Sequence, residues 1–298
     1  MSNSWRVLDF SNFDGVIRYQ RGALLVDRRN DEQPPLRVPL AEVAVVLLGI
    51  RSLVSGAVLA KLAEYDIAVM TVDWRGLPTS AHVPWREHSR IAARQRAQAS
   101  LKLPRQKRAW QELIIAKIKG QSHTLKVLDV SGHEELYEIA RSVKSGDSTN
   151  CEAIAARRYW HALGIRRDYP SDENTLPINA KLNYAYVVLR GYGIRAVAAA
   201  GLAPALGIFH RQRDNQFALV DDLIEPFRPA VDTHVFRFLP LDDDLDADQK
   251  KKIVGIFDTP FDKSGATIPN LLVDLAQAYG IFAEGGDPNL FVPPVWRL

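Results

Sequence analysis

The spacing of the apolar residues changes near residue 75, and this change restricts the folds that the chain can adopt. Residues 1–50 contain short segments rich in Val, Ile and Leu, such as "GVIRYQ", "GALLVDR" and "VAVVLLG", separated by Gly, Asn-Asp and Pro-Pro. Such segments are typical of strands. Residues 52–66 have the apolar spacing of a helix, and residues 67–73 return to a strand pattern. The first 75 residues therefore predict a compact β-rich unit with one helix.

After this unit the pattern becomes helical. Helices are predicted over 87–119, with an interruption at Pro104, and over 134–145, 149–163, 177–200, 216–228, 246–256 and 268–279. The intervening segment contains Gly76, Pro78 and Pro84, which favour an irregular connection. We therefore predict an α+β fold with a β-rich N-terminal domain (1–75), a linker (76–86), a larger all-helical domain (87–283) and a Gly/Pro-rich C-terminal tail (284–298).

The composition indicates an ordinary globular protein. The chain has 298 residues, of which 47% are hydrophobic, enough to form a core. The single cysteine, Cys151, excludes a disulfide framework and fits a reducing compartment. The hydrophilic start "MSNSWRVLDF" lacks the apolar segment of a signal peptide, and the apolar run 196–209 is shorter than a bilayer span. We therefore expect a cytoplasmic protein without a membrane partner.

Positive charge is concentrated in one part of the chain. Residues 86–126 contain eleven Lys and Arg but only two Glu, whereas "LDDDLDAD" (241–248) is strongly acidic. A basic segment of this kind either binds a polyanion such as nucleic acid or forms a solvated helix face. Its candidate DNA-binding residues are Arg86, Arg90, Arg94, Lys102, Arg105, Lys107 and Arg108.

Glu152 and His210 each allow two interpretations. Thr149 and Glu152 have the Ser/Thr-x-x-Glu spacing of a capping box before an apolar-periodic run, so Glu152 can cap a helix without any catalytic role. His210 follows the apolar run and can be a core residue or a metal ligand.

Three carboxylates lie close together further along the chain. Asp221, Asp222 and Glu225 fall on or near one helix face, where like charges repel unless Arg228 or a divalent cation lies between them. Pro226 and Pro229 are expected to kink or end that helix just beyond Glu225. Carboxylates with one imidazole suit Mg²⁺ or Mn²⁺, which would support phosphoryl transfer on a nucleic acid.

Three sequence blocks carry a resemblance to a known family. "EAIAARRYW" (152–160), "NAKLNYAYVVL" (179–189) and "GIFHRQRDNQFALVDDLIEPFRP" (207–229) occur in this order. Together with the β-then-helical plan, they resemble the CRISPR-associated integrases of spacer acquisition, the Cas1 family, over essentially the whole chain. The Glu in "DLIEPFRP", where many relatives have Asp, is most similar to the members from type II systems.

The resemblance implies a site. The family's metal ligands match Glu152, His210 and Glu225, which would be the catalytic residues and would hold Mg²⁺ or Mn²⁺. Asp222 matches a nearby supporting acid, and Asn183 and Tyr184 match a block expected to pack and brace the site. Ala185 stands where many relatives have Gly, a difference expected to affect packing only.

The resemblance also implies an activity and partners. The protein would join the 3′-hydroxyl ends of short double-stranded DNA fragments to a CRISPR repeat array. It would act as a homodimer through its β-rich domain, with a small ferredoxin-like second adaptation subunit and, in type II systems, the effector nuclease. A non-catalytic DNA-binding scaffold and a general metal-dependent DNA nuclease are the alternatives. Metal binding separates the scaffold from the two enzymes, and strand joining separates the integrase from the nuclease.

Overall fold

A computed structural model of the chain describes residues 6–29, 33–82, 89–165, 176–210 and 212–297. Its N-terminal part contains two four-stranded sheets. The strands are β1 (Arg6–Phe10), β2 (Gly15–Gln20), β3 (Ala23–Arg28), β4 (Leu36–Pro39), β5 (Val43–Leu48), β6 (Ser52–Val54), β7 (Ala68–Val72) and β8 (Pro78–His82), with helix α1 (Gly56–Glu64) between β6 and β7.

The first sheet has the order β1-β5-β7-β8, with β8 antiparallel to β7 and the other pairs parallel. The second has the order β4-β3-β2-β6, in which β3 is antiparallel to both of its neighbours and β6 is parallel to β2. Strand β8 lies inside the segment that we predicted as an irregular linker, and residues 83–86 of that linker lie outside the described residues. The division of the chain into domains stays a prediction.

Strand β5 connects the two halves of the molecule. All six residues of its sequence "VAVVLL" are buried, as expected for a strand covered on both faces. Val46 and Leu48 pack in a core with the second sheet and α1. Val45 and Leu47 join the larger core formed by the helices.

The rest of the described chain is helical, as the apolar periodicity predicted. The helices are α2 (Ile91–Ala99), α3 (Leu103–Val127), α4 (His133–Ser142), α5 (Cys151–Ala162), α6 (Pro177–Ala199), α7 (Ala218–Ile224), α8 (Arg228–Phe238), α9 (Ala247–Gly255) and α10 (Ile268–Ala283). Phe291 and Trp296 of the tail are buried in the same core.

The central helix α6 packs directly on the first sheet. A Cβ atom at Gly191 would lie 2.8 Å from Cγ1 of Val45 and 3.1 Å from Cε of Met70, so only a glycine permits this approach. Ala185 of the same helix is fully buried in the helical core, which agrees with a packing role.

Prolines begin helices here more often than they end them. Pro104 stands in the first turn of α3, and the predicted helix 87–119 is divided at Ser100–Lys102 instead. A single turn of 3-10 helix (Glu225–Phe227) follows α7, with Pro226 in it, and Pro229 stands in the first turn of α8. The chain therefore continues helically beyond Glu225, because a proline in a first turn loses no helical hydrogen bond.

Candidate active site

Two glutamates from different helices face one buried cation. Lys117 lies on α3, and its Nζ is 2.7 Å from Oε1 of Glu152 and 2.6 Å from Oε2 of Glu225. Burial lowers the pKa of Lys117, but the charges of the two glutamates outweigh this effect and raise it overall. The helices thus bring together two of the three predicted metal ligands around a shared point.

Glu152 is placed by the start of α5. The residue before this helix, Asn150, has a φ of 55°, a left-handed conformation that asparagine tolerates. The carboxylate of Asp147 accepts hydrogen bonds from the backbone N–H of Cys151 (2.7 Å) and of Glu152 (3.0 Å). The capping-box interpretation of Thr149 and Glu152 is therefore wrong, because Asp147 caps the helix and leaves the Glu152 side chain directed at Lys117.

Glu225 is held at the junction of α7 and α8. Its side chain is only 6% exposed, and Nε of Arg228 donates to its Oε1 at 2.9 Å. Burial alone would raise the pKa of Glu225, but Arg228 and Lys117 outweigh it and lower the pKa to about 2. Glu225 is therefore a carboxylate throughout the physiological range.

His210 is held by the completely buried Asp222. Oδ1 of Asp222 lies 2.6 Å from Nδ1 of His210, while its Oδ2 accepts the backbone N–H groups of Ile208 (2.5 Å) and Phe209 (3.0 Å). The hydrogen bond to Asp222 raises the pKa of His210 against the opposing effect of burial, and the charges of Glu225 and Glu152 act in the same direction as Asp222. Asp222 thus holds the imidazole of His210, and its supporting role at a metal site stays a prediction.

The turn before His210 is tightly packed around the Asp222 carboxylate. A Cβ atom at Gly207 would lie 2.5 Å from the carbonyl oxygen of His210 and 3.0 Å from Oδ2 of Asp222. The ring of Phe209 stacks on Trp110 of α3 with centroids 4.3 Å apart, and both rings meet the imidazole edge-on. These contacts fix the orientation of His210.

The donor set suits a hard divalent cation. Among the described residues, no three His, Cys, Asp or Glu side chains are already gathered as a metal site. However, the Lys117 ammonium shows that Glu152 and Glu225 can both approach one cation, and Nδ1 of His210 is engaged, which leaves Nε2 as its ligating atom. Two carboxylates and one imidazole nitrogen fit Mg²⁺ or Mn²⁺.

Tyr184 and Asn183 are placed at the interface between α6 and the N-terminal sheet. The hydroxyl of Tyr184 donates to Oδ2 of Asp9 on β1 at 2.9 Å, and Lys250 of α9 donates to the same atom at 3.0 Å. Asn183 lines a cleft with Tyr184 that also includes residues of the β7–β8 turn. Within the described part of the chain, the hydrogen bonds at Tyr184 and Asp9 join three parts of the fold and involve none of the three predicted ligands.

Two arginines of the basic segment bind the C-terminal end of the helical core. Arg90 makes a bidentate pair with Glu284, in which Nη2 donates to Oε1 at 2.7 Å and Nε donates to Oε2 at 3.1 Å. Arg94 is 5% exposed, and its Nη1 donates to the carbonyl oxygen of Ala200 (2.5 Å) and to Gln277 (2.7 Å). The prediction that Arg94 contacts DNA is therefore wrong, because its guanidinium is enclosed by the protein.

The remaining basic residues divide into two groups. Arg105 donates to the carbonyl oxygens of Phe282 and Gly286, and Arg108 donates to Oδ1 of Asn289, so both hold the chain after α10. Lys102 and Lys107 are exposed, and their contact with DNA stays a prediction. Arg86 lies outside the described residues.

Local sequence patterns did not distinguish Lys117 from the exposed basic residues. It was counted with the basic segment, although it follows Leu113 and Ile114 at helical spacing on the buried side of α3. A lysine in phase with the apolar stripe of a helix needs buried carboxylate partners, and this was the signal that could have revealed it.

Comparisons with known proteins identify the family of the chain. The family model for CRISPR associated protein Cas1 matches residues 10–248. The chain belongs to the Cas1 family. It is 35% identical over 237 residues to the CRISPR-associated endonuclease Cas1 of Neisseria meningitidis serogroup C, covering 78% of this chain and 75% of the relative. The resemblance identified from the three sequence blocks is thus confirmed.

Solved structures share the fold of this Cas1 family member. A casposase bound to an integration product aligns with a TM-score of 0.75 at 18% identity, over 94% of this chain and 90% of the casposase. A chain of a Cas6-RT-Cas1–Cas2 complex also aligns with a TM-score of 0.75 at 18% identity, over 99% of this chain and 36% of that longer chain. None of the helices in the described part of the chain is long and apolar enough to cross a membrane.

Proposed function

We propose that this protein is a divalent-metal-dependent DNA integrase and endonuclease of CRISPR adaptation. It joins the 3′-hydroxyl ends of short DNA fragments to the repeat array by transesterification. One observation carries this proposal: Glu152 and Glu225 both approach one buried cation. His210, held by Asp222, is close enough to feel the charges of both glutamates, and the chain belongs to the Cas1 family.

The reaction requires no external energy source. The attacking 3′-oxygen forms a new bond to a phosphorus of the array, and the bond from that phosphorus to the 3′-oxygen of the flanking nucleotide breaks. One phosphodiester replaces another, and the proton of the attacking hydroxyl passes to the leaving oxygen. A scissile phosphate must therefore be held between an incoming and a departing hydroxyl group.

The side chains of the site have separate roles in this reaction. Glu152 and Glu225 would hold the ion through carboxylate oxygens, and His210 through Nε2, with Asp222 fixing its ring. A bound Mg²⁺ or Mn²⁺ would stabilise charge on the phosphate and lower the pKa of the attacking hydroxyl. Arg228 keeps Glu225 ionised, so that this ligand remains available at every working pH.

Exposed residues and partners would position the DNA. Lys102 and Lys107 contact phosphates without reading bases, which suits fragments of unrestricted sequence. The casposase neighbour bound to an integration product supports DNA joining, and the neighbour in a complex with Cas2 supports a second adaptation subunit. A homodimer formed through the N-terminal sheets, and cooperation with a type II effector nuclease, complete the proposal.

A strand-joining reaction tests this function. A labelled short duplex and a supercoiled plasmid carrying a repeat array are incubated with Mn²⁺ or Mg²⁺, the purified second subunit, and either the wild type or His210→Ala. Label joined to the plasmid by the wild type alone supports the integrase. Degradation of the duplex without joining indicates a general nuclease. DNA binding without any reaction in either metal indicates a scaffold.

A further inference from the structure

The Lys117 ammonium occupies the point at which the carboxylates of Glu152 and Glu225 converge. It lies within 2.7 Å of a carboxylate oxygen of Glu152 and of Glu225, and its side chain is only 12% exposed. A divalent cation bound by the same two carboxylates would be placed against this ammonium in a region of low dielectric constant. Two cations cannot share that point, because their repulsion there is poorly screened by water.

A small cavity of about 220 Å³ adjoins this point. Its lining includes Lys117, Gln121, Tyr186, Glu225, Arg228 and Asp232. Lys117 therefore borders both the carboxylate pair and an open space into which a flexible side chain can turn.

The cavity contains a hydrogen-bond acceptor that lacks a donor. Gln121 follows Lys117 by one turn of α3, is 3% exposed, and its Oε1 has no hydrogen-bond partner among the described residues. A buried amide oxygen without a donor is costly in free energy, so a hydrogen-bond donor that moves next to it is stabilised. Residues four apart on a helix lie on the same face, which puts this oxygen within reach of a lysine side chain.

We propose that Lys117 is a displaceable positioning cation with two resting places. In the metal-free protein it neutralises Glu152 and Glu225 and keeps both carboxylates directed at one point. When a divalent ion binds there, the ammonium turns into the neighbouring cavity, where Oε1 of Gln121 accepts it. The inference rests on the proposed function, since it assigns a role to Lys117 in loading the same metal site.

Manganese binding in the absence of DNA tests this role. Calorimetry with Mn²⁺ and Mn²⁺-dependent thermal shifts would compare the wild type with Lys117→Met, Gln121→Leu and the double variant. Lys126→Met is the matched control, because Lys126 is an exposed lysine near the end of the same helix. These measurements do not depend on the activity of the metal-loaded enzyme.

The two variants are expected to act in opposite directions. Lys117→Met should bind Mn²⁺ about tenfold more tightly than the wild type, because no ammonium has to leave the carboxylates, and Mn²⁺ should raise its melting temperature further. Gln121→Leu should weaken Mn²⁺ binding several-fold, since the displaced ammonium loses its acceptor. In the Lys117→Met background, Gln121→Leu should have no further effect, and Lys126→Met should bind as the wild type does.

Other results would overturn the inference. Equal Mn²⁺ affinity in the wild type and Lys117→Met would mean that the ammonium does not compete with the ion, and the proposed function would stand unaffected. Absence of Mn²⁺ binding in every variant would overturn the metal-dependent function together with the inference. Gln121→Leu leaves both ion pairs in place, so unchanged affinity in this variant refutes the second resting place even if Lys117→Met does not fold.

Discussion

Nδ1 of His210 lies 2.6 Å from Oδ1 of the buried Asp222, and the same carboxylate accepts three backbone N–H groups from residues 208–210. The arrangement selects the tautomer with its proton on Nδ1 and presents Nε2 as the free nitrogen. Asp222 thus controls both the direction of the imidazole and the path of the backbone that carries it.

Replacement of Asp222 by Asn should therefore weaken metal binding without removing a ligand. We expect Mn²⁺ affinity to fall by about 10- to 100-fold, the usual effect of removing the partner that orients a ligating histidine. Calorimetric titration with Mn²⁺ measures this affinity. Asp221→Asn is the matched control, because Asp221 pairs with Arg190 instead. Equal Mn²⁺ affinity in Asp222→Asn and the wild type would show that Asp222 does not orient His210 for metal binding.

The Tyr184→Phe variant shows whether the Tyr184 hydroxyl stabilises the metal site or only the fold. The variant loses the hydroxyl hydrogen bond to Asp9 but keeps the ring, so the free energy of unfolding should fall by about 1 kcal/mol. Urea denaturation measures this loss. Mn²⁺ affinity should remain that of the wild type, and a variant with normal stability but impaired Mn²⁺ binding would place Tyr184 in the site instead.

The basic segment should contain both structural and DNA-binding residues. Arg94→Met should lower the free energy of unfolding by about 3 kcal/mol, because it leaves buried partners without their cation. Lys102→Ala with Lys107→Ala should leave stability nearly unchanged and reduce the slope of log affinity against log salt by about 2.

Fluorescence anisotropy with a labelled duplex, at several salt concentrations, measures that slope, and urea denaturation measures stability. Each variant serves as the control for the other. A normal salt dependence in the double lysine variant would show that this part of α3 does not contact DNA.

His234 should make folding stability sensitive to acid. Burial lowers its pKa, and the charge of Arg237 adds to this effect against the hydrogen bond from Nδ1–H to the carbonyl oxygen of Ala230. Its Nε2 lies 3.3 Å from Oγ1 of Thr259, and its ring packs on Trp296. Among the described residues, no carboxylate is found in these contacts of the imidazole ring.

Because the folded protein has the lower pKa, the unfolded chain takes up a proton first as the pH falls through about 6.5. The contribution of neutral His234 to stability is therefore present above that pH and declines below it. Between about pH 7.5 and pH 5.5, the free energy of unfolding should fall more in the wild type than in His234→Gln. Urea denaturation at both pH values measures this difference, and parallel losses in the two proteins would refute the assignment.

Much of the fold follows from local sequence patterns. The uninterrupted apolar run of β5 and the long helical periodicity of α6 were sufficient to predict both elements. Strand β8 was missed because its sequence "PTSAH" has no apolar alternation and is a strand only through its pairing with β7. Helix α8 was missed because Pro226 and Pro229 were interpreted as helix ends.

The contacts of the site were harder to predict from the sequence. His210 and Asp222 are only 12 residues apart in the sequence, and both lie in the block 207–229 that carries the family resemblance. The pairing of Lys117 with Glu225, and the burial of Arg94 against Gln277, depend on helices far apart in the chain. Charge counted along the sequence cannot distinguish a lysine that meets solvent from one that neutralises buried carboxylates.

The most direct test of the account is to locate Mn²⁺ by anomalous X-ray scattering in crystals grown with the ion. We predict one principal peak per chain, ligated by Glu152, His210 and Glu225, with the Lys117 ammonium moved away from the two glutamates. A principal peak at any other group of residues, or no peak under conditions in which the protein joins DNA, would contradict the account.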